Sequence, residues 1–213
     1  EINRSPKQTY GEVRPGDIRY KDVNADGKID DDDVVPIAHS NVPQIQYGFA
    51  LEYRYKRWTI SALFTGAAKV NFLYGGSGFY PFSGGEVGNI LSIVNDPKNR
   101  WTPAWYSGDP STENPNARFP RLTYGENKNN NRASTFWLAD GSYLRWKSLD
   151  ISYRIGTNKA LRTVGISDMN LQFVGQNLAV WDSVKLWDPG QASKNGAVYP
   201  LQRTFSLQLT ATF

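Results

Sequence analysis

The sequence predicts an all-β fold of long antiparallel strands, on three observations. Five segments alternate apolar and polar residues with period two, the pattern of strands whose two faces meet different surroundings. Each runs about 10–13 residues, close to the roughly 9–11 tilted residues a strand needs to cross a membrane and longer than the roughly 5–6 usual in globular proteins. The links between them are short and long in turn, the asymmetry of barrels with short inner turns and long outer loops. The expected architecture is a transmembrane antiparallel β-barrel, to which this chain contributes five strands.

The first segment, Gln44–Tyr55, places Ile45, Tyr47, Phe49, Leu51, Tyr53 and Tyr55 on one face and Gln44, Gln46, Gly48, Ala50, Glu52 and Arg54 on the other. In Trp58–Val70 the apolar face is Trp58, Ile60, Ala62, Phe64, Gly66, Ala68 and Val70, against Thr59, Ser61, Thr65 and Lys69, with Leu63 as the exception. Tyr143–Ile155 sets Leu149, Ile151, Tyr153 and Ile155 against Ser148, Asp150, Ser152 and Arg154. Asp168–Leu178 opposes Met169, Leu171 and Phe173 to Asn170, Gln172 and Gln176, and turns mixed at Val174. Thr204–Phe213 is the cleanest, with Phe205, Leu207, Leu209, Ala211 and Phe213 against Thr204, Ser206, Gln208, Thr210 and Thr212.

Lys56-Arg57 joins the first pair and Gly156–Ser167 the third and fourth segments, whereas residues 71–140 and 179–203 form long links, and residues 15–40 a further loop. If the short turns lie on the periplasmic side, the last strand ends there too. Tyr53, Tyr55, Trp58, Tyr153 and Phe213 then share one membrane level, as an interfacial aromatic girdle requires. Five strands do not close a barrel, and single-chain bacterial barrels have even counts. Further strands are therefore expected before Glu1, with residues 1–213 as the C-terminal part of one barrel domain. The apolar strand ending on Phe213 is similar to the terminal assembly signal of outer-membrane barrels.

Composition narrows the alternatives. Mean hydropathy is −0.54, and no run of about 18 apolar residues occurs, so no transmembrane helix is expected. Alternating barrel strands keep average hydropathy low, so this value does not count against a barrel. Cysteine is absent, which removes disulfides and thiolate sites. The net charge of +4 is scattered rather than clustered, which argues against nucleic-acid binding. The one histidine, His39, leaves no histidine-based triad or His-rich zinc site to assemble. No enzyme is expected.

One motif has metal-ligand spacing. From Asp22 to Asp33 the sequence follows an EF-hand-like calcium loop. Asp22, Asn24 and Asp26 occupy positions one, three and five, and Gly27 the sharp turn at six. Lys28 at seven would offer its carbonyl, Asp30 at nine would act through water, and Asp33 stands at twelve. Aspartate at twelve and a single copy resemble dockerin loops rather than a helix-flanked EF-hand. Structural Ca²⁺ is expected, with Mg²⁺ as an alternative and a solvated acidic turn as the metal-free reading.

Several stretches in order carry a family resemblance. Pro15–Asp30 (Pro-Gly-Asp-Ile-Arg-Tyr-Lys-Asp-Val-Asn-Ala-Asp-Gly-Lys-Ile-Asp), Asp140–Leu149, Gly175-Gln176-Asn177-Leu178, and the approach Tyr199-Pro200 to Arg203-Thr204-Phe205 together resemble the C-terminal third of SusC/RagA-type TonB-linked outer-membrane proteins. The resemblance implies a 22-stranded barrel with an N-terminal plug, in the bacterial outer membrane. It implies TonB-driven uptake of oligosaccharides or peptides and a SusD-like surface lipoprotein as partner. The plug and TonB box would lie outside this chain, in contact with the TonB complex.

Other residues receive plainer expectations. Trp101, Trp105, Tyr106 and Trp187, in the long loops, are open to substrate contact, loop packing or a partner lid. Asn127–Arg132 is expected to be a mobile loop tip, and Glu52 and Asp150 to line the lumen, paired with Arg54 and Arg154. The rival architecture is a secreted, calcium-stabilised β-sandwich that binds glycans through exposed tryptophans. Strand length and link asymmetry favour the barrel over it.

Overall fold

In the computed structural model residues 5–84 and 88–213 are described. The chain divides into two compact units. One comprises His39–Phe72, Ala139–Ala192 and Val198–Phe213, the other Glu1–Ala38, Leu73–Leu138 and Ser193–Ala197.

The first unit is built on one five-stranded antiparallel sheet whose spatial order is the chain order. Its strands are β1 (Ile45–Tyr55), β2 (Trp58–Ala68), β3 (Tyr143–Arg154), β4 (Asp168–Asp182) and β5 (Thr204–Thr212). The all-β expectation holds, as do the five strands and their faces. The sheet is open, with β1 and β5 at its edges.

Directly opposed residues in a sheet share a face, so the register extends the sequence alternation across all five strands. Tyr55, Trp58, Tyr153, Leu171 and Leu209 form one row. Tyr53, Ile60, Ile151, Phe173 and Leu207 form the next, then Leu51, Ala62, Leu149, Gly175 and Phe205. On the other face Glu52, Ser61, Asp150, Val174 and Ser206 are aligned, and beside them Arg54, Thr59, Ser152, Gln172 and Gln208.

Two irregularities keep this division intact. In β3, Trp146 and Ser148 pair with consecutive β2 residues, Phe64 and Leu63, which leaves Lys147 as an extra residue. Such a bulge shifts the alternation by one. Leu144 and Trp146 above it, and Leu149 and Ile151 below it, therefore share one face despite opposite parity in sequence. Ring stacking agrees, because Phe49, Phe64 and Trp146 lie in one line at centroid spacings of 5.0 and 5.8 Å. In β4, Asn177 and Leu178 stand between the paired Gln176 and Ala179, and Asn177 adopts φ 52°. Pairing then resumes to Asp182. The fourth strand consequently ends four residues later than the alternation predicts, and the predicted 179–203 loop begins only after Asp182.

One glycine is required by close approach. The Tyr47 ring crosses β2 over Gly66, and its hydroxyl donates to the Tyr143 carbonyl on β3 at 2.9 Å. A Cβ at Gly66 would lie 2.4 Å from that carbonyl oxygen and 2.4 Å from the Tyr47 ring.

The short links also follow from local chemistry. Lys56 turns the first hairpin at φ 54°, and Arg57 donates from Nη1 to the Ile155 carbonyl at 2.9 Å. The second link contains a short helix, Lys159–Thr163, whose N-terminal amide at Leu161 donates to the Asn158 side chain at 2.9 Å.

The second unit has little regular structure and two kinds of core. Phe79, Phe119, Val94 and Trp137 are buried, with Phe79 stacked on Tyr74 at 5.2 Å and edge-on to Trp137 at 5.4 Å. The other core is polar. Asn129 and Asn130 are 1% and 2% exposed. Asn129 donates to the Ile18 carbonyl at 2.9 Å, and Asn130 accepts from the Ile18 amide at 2.9 Å. Gln8 donates to Asn129 Oδ1 at 2.7 Å, and Trp137 donates from Nε1 to the Asn130 carbonyl at 2.8 Å. The expectation of a mobile tip at Asn127–Arg132 is therefore corrected. The amide side chains serve as a buried staple, because an amide supplies both donors and acceptors, here to the backbone of Ile18 and Tyr20.

Asp17 anchors the same network. Its fully buried carboxylate lies 2.9 Å from Arg121 Nε and accepts from Asn130 at 2.8 Å and Asn127 at 3.1 Å.

Candidate functional site

The apolar face of the sheet carries large exposed side chains on its two edge strands. Phe49 is 47% exposed, Leu51 61%, Leu207 72% and Leu209 61%. Large apolar side chains so exposed, on strands of this length, are not the inner face of a sandwich, where a second sheet covers them. The sandwich reading loses its main requirement. Among the described residues no helix is long and apolar enough to cross a membrane.

The predicted girdle residues gather at the short-turn end of the sheet. Tyr55, Trp58 and Tyr153 form its terminal row, with Trp58 and Tyr153 rings 4.6 Å apart. Tyr53 stands one row further in, and Phe213, 84% exposed, follows the end of β5 at the same edge.

The opposite face is polar and internally paired. Arg54 and Glu52 form an ion pair at 2.6 Å, as expected. Arg154 instead pairs with Asp168 on β4 at 3.1 Å, while Asp150 accepts from Gln172. The correction follows from register: Arg154 stands opposite Asn170, two residues from Asp168, whereas Asp150 is four positions away along its own strand.

A third ion pair on this face was not foreseen. Arg145 donates to both carboxylate oxygens of Asp188 at 2.6 Å, with side chains only 9% and 13% exposed. Asp188 Oδ1 also accepts from the Gly190 amide at 2.9 Å. The pair fastens the link after β4 to the wall beside it. Sequence gave no signal for it, since the partners are far apart in the chain.

The loop aromatics divide by environment. Trp101 packs against Gly16, where φ is 88° and a Cβ would stand 2.2 Å from the indole. Trp187 lies 6.5 Å from Phe72. Trp105 and Tyr106, on the short helix Ala104–Ser107, are 84% and 66% exposed. His39 is an exposed loop residue whose amide donates to Asn71.

The Asp-rich loop forms a compact turn. Asp22 accepts from the Ala25 and Gly27 amides at 2.6 and 3.0 Å, Asn24 from Asp26 at 2.9 Å, and Asp26 from Lys28 at 2.8 Å. Ala25 and Gly27 take φ 63° and 83°. Asp33 closes the turn, accepting from Val23 at 2.6 Å and from Asp30 at 3.0 Å. These bonds, the one from Asp30 foremost, hold the Asp33 carboxyl below its usual pKa. The contribution is present above the ordinary aspartate range and is lost as pH falls through the depressed value. Among the described residues no group of three Asp, Glu, His or Cys side chains stands as a ready metal cage. The loop's donors are all hard oxygens, which suit Ca²⁺ or Mg²⁺ rather than zinc.

The structure thus defines an all-β protein with a long-stranded, up-and-down sheet and one exposed apolar face. Comparison with known proteins gives the class more narrowly. No protein-family model matches the chain. It is 27% identical over 210 residues to TonB-dependent receptor P26 of Formosa agariphila, covering 93% of this chain and 20% of the relative. It is 24% identical over 217 residues to TonB-dependent receptor P3 of the same organism, covering 95% and 20%. Among solved structures it is similar to the RagAB peptide importer in its closed-closed state (TM-score 0.62, 20% identity, 89% of this chain and 20% of that one). The open-open state gives TM-score 0.61 at 20% identity, covering 88% and 19%. The resemblance to TonB-dependent receptors read from the sequence therefore holds across nearly the whole chain. The chain spans about a fifth of the length of these relatives.

Proposed function

We propose that this chain is the C-terminal stretch of a TonB-dependent, SusC/RagA-type importer in the bacterial outer membrane, contributing five barrel strands and the loops outside them. The observation that carries this reading is the continuous apolar face of the sheet, exposed on the edge strands β1 and β5 and half-buried through β3. On this reading the face meets outer-membrane lipid and the row Tyr55–Trp58–Tyr153, with Tyr53 and Phe213, lies at the periplasmic interface. The free edges of β1 and β5 pair with strands outside this chain, since closure is what removes edges in barrels. Uptake of oligosaccharides or peptides, the TonB complex and a SusD-like surface lipoprotein complete the proposal, supported by the RagAB neighbours.

The test uses the intact receptor in bilayers, with single cysteines carrying a fluorophore. Labels at Phe49 and Leu207 are expected to be quenched by brominated lipid tails, and labels at Gln172 and Ser206 to be spared. Equal quenching on both faces would refute the barrel reading.

We further propose that Asp22, Asn24, Asp26, the Lys28 carbonyl and Asp33 bind one Ca²⁺, which pins the loop. Support comes from the ligand spacing and the tight turn at Gly27. Calorimetric titration of the intact receptor is expected to show a site in the roughly 10⁻⁴–10⁻³ M range of extracellular modules. The site should be lost in Asp22→Ala/Asp26→Ala. No heat up to 10 mM Ca²⁺, or unchanged heat in that variant, rejects the site. A response to Mg²⁺ of equal strength reassigns the ion.

A further inference from the structure

A cleft of about 1210 Å³ opens in the irregular unit, along the segment 11–21. Its size is somewhat above that of pockets that enclose single small ligands, so it has room for a short oligomer. Its walls include Trp101 and Phe136, the latter 38% exposed, which give an apolar floor.

Charge decides what would enter. Two of the lining side chains are acids, and both are already engaged. Glu12 holds Arg14 through two bonds of 3.0 and 3.1 Å, and Asp17 is buried against Arg121 at 2.9 Å. Lys7, Arg19 and Lys21 also line the cleft and are exposed. Among the described residues no carboxylate lies within ion-pair distance of any of the three. The cleft therefore offers three cationic side chains free of carboxylate contact, over an apolar floor.

Backbone groups narrow the ligand further. The main-chain N–H groups of Glu12, Val13 and Arg19 have no hydrogen-bond partner among the described residues. Free main-chain donors beside an open cleft can pair with the carbonyls of an extended peptide, and side-chain subsites then give selectivity. We infer that this cleft binds a short acidic peptide in extended form, its carboxylates met by Lys7, Arg19 and Lys21 and its apolar side chains by Trp101 and Phe136. As a substrate-contact site it rests on the importer reading.

The test is fluorescence polarisation with the intact receptor and a labelled five-residue peptide alternating Glu and Leu. Its Gln-for-Glu counterpart and a trimer of galacturonic acid serve as competitors. The acidic peptide is expected to bind, weaken with added salt, and lose about tenfold affinity in Lys7→Gln/Arg19→Gln/Lys21→Gln. Val13→Trp, which fills the cleft without touching a charge, is expected to abolish binding. Equal affinity for the Gln peptide, no loss in either variant, or displacement by the acidic sugar at equal concentration overturns the inference. Lipid quenching of the strand labels reports on the importer reading independently, so the two failures are distinguishable.

Discussion

Asp17→Ala is expected to destabilise the irregular unit by about 3–5 kcal/mol, the usual effect of removing one partner from a buried charge pair. Its carboxylate is fully buried and joins Arg121, Asn127 and Asn130. It also accepts from the Arg14 amide at 2.8 Å. Alanine would leave the Arg121 guanidinium, only 17% exposed, without its counter-charge, and would strand two amide donors. Hydrogen exchange is the suitable measurement, because protection at Ile18 and Tyr20 reads this network directly. Arg14→Ala removes an exposed pair and should leave those amides protected. Equal deprotection in the two variants would mean that Asp17 is not the anchor.

The second large effect concerns the sheet. Leu207→Arg is expected to cost about 2–4 kcal/mol in a folding assay of the intact receptor in bilayers, as for a cation near the midplane of a barrel's lipid face. Gln208→Arg, one residue on and on the opposite face, should cost far less. The contrast separates two surroundings that a soluble sheet edge would not possess. Similar costs for the two variants would place both residues in water.

Much of the sheet was legible because its physics is one-dimensional. Whether Phe205, Leu207 and Leu209 share a face depends only on their spacing, and the structure keeps it. The same holds for Tyr47, Phe49 and Leu51. Legibility failed where a strand breaks period. Leu144 and Trp146 read as the wrong parity beside Leu149 until the pairing partners show Lys147 to be supernumerary. It failed again in the irregular unit, where contacts join residues remote in sequence. Asn129 and Asn130 look like a polar tip, and only their bonds to Gln8 and Ile18 reveal a core. The Arg145–Asp188 pair is hidden for the same reason. The Asp22–Asp33 turn, by contrast, is local, and its Asx geometry follows from residues two to five apart.

The extra residue at Lys147 has a consequence for how such chains tolerate change. Deleting it would return β3 to regular alternation, with Ser148 following Trp146 directly and Trp146 keeping its place against Phe64. Arg145 would stay on the side of the Asp188 latch. A residue can thus be lost here with both faces of the wall kept, whereas loss of one from a regular stretch of strand would exchange them.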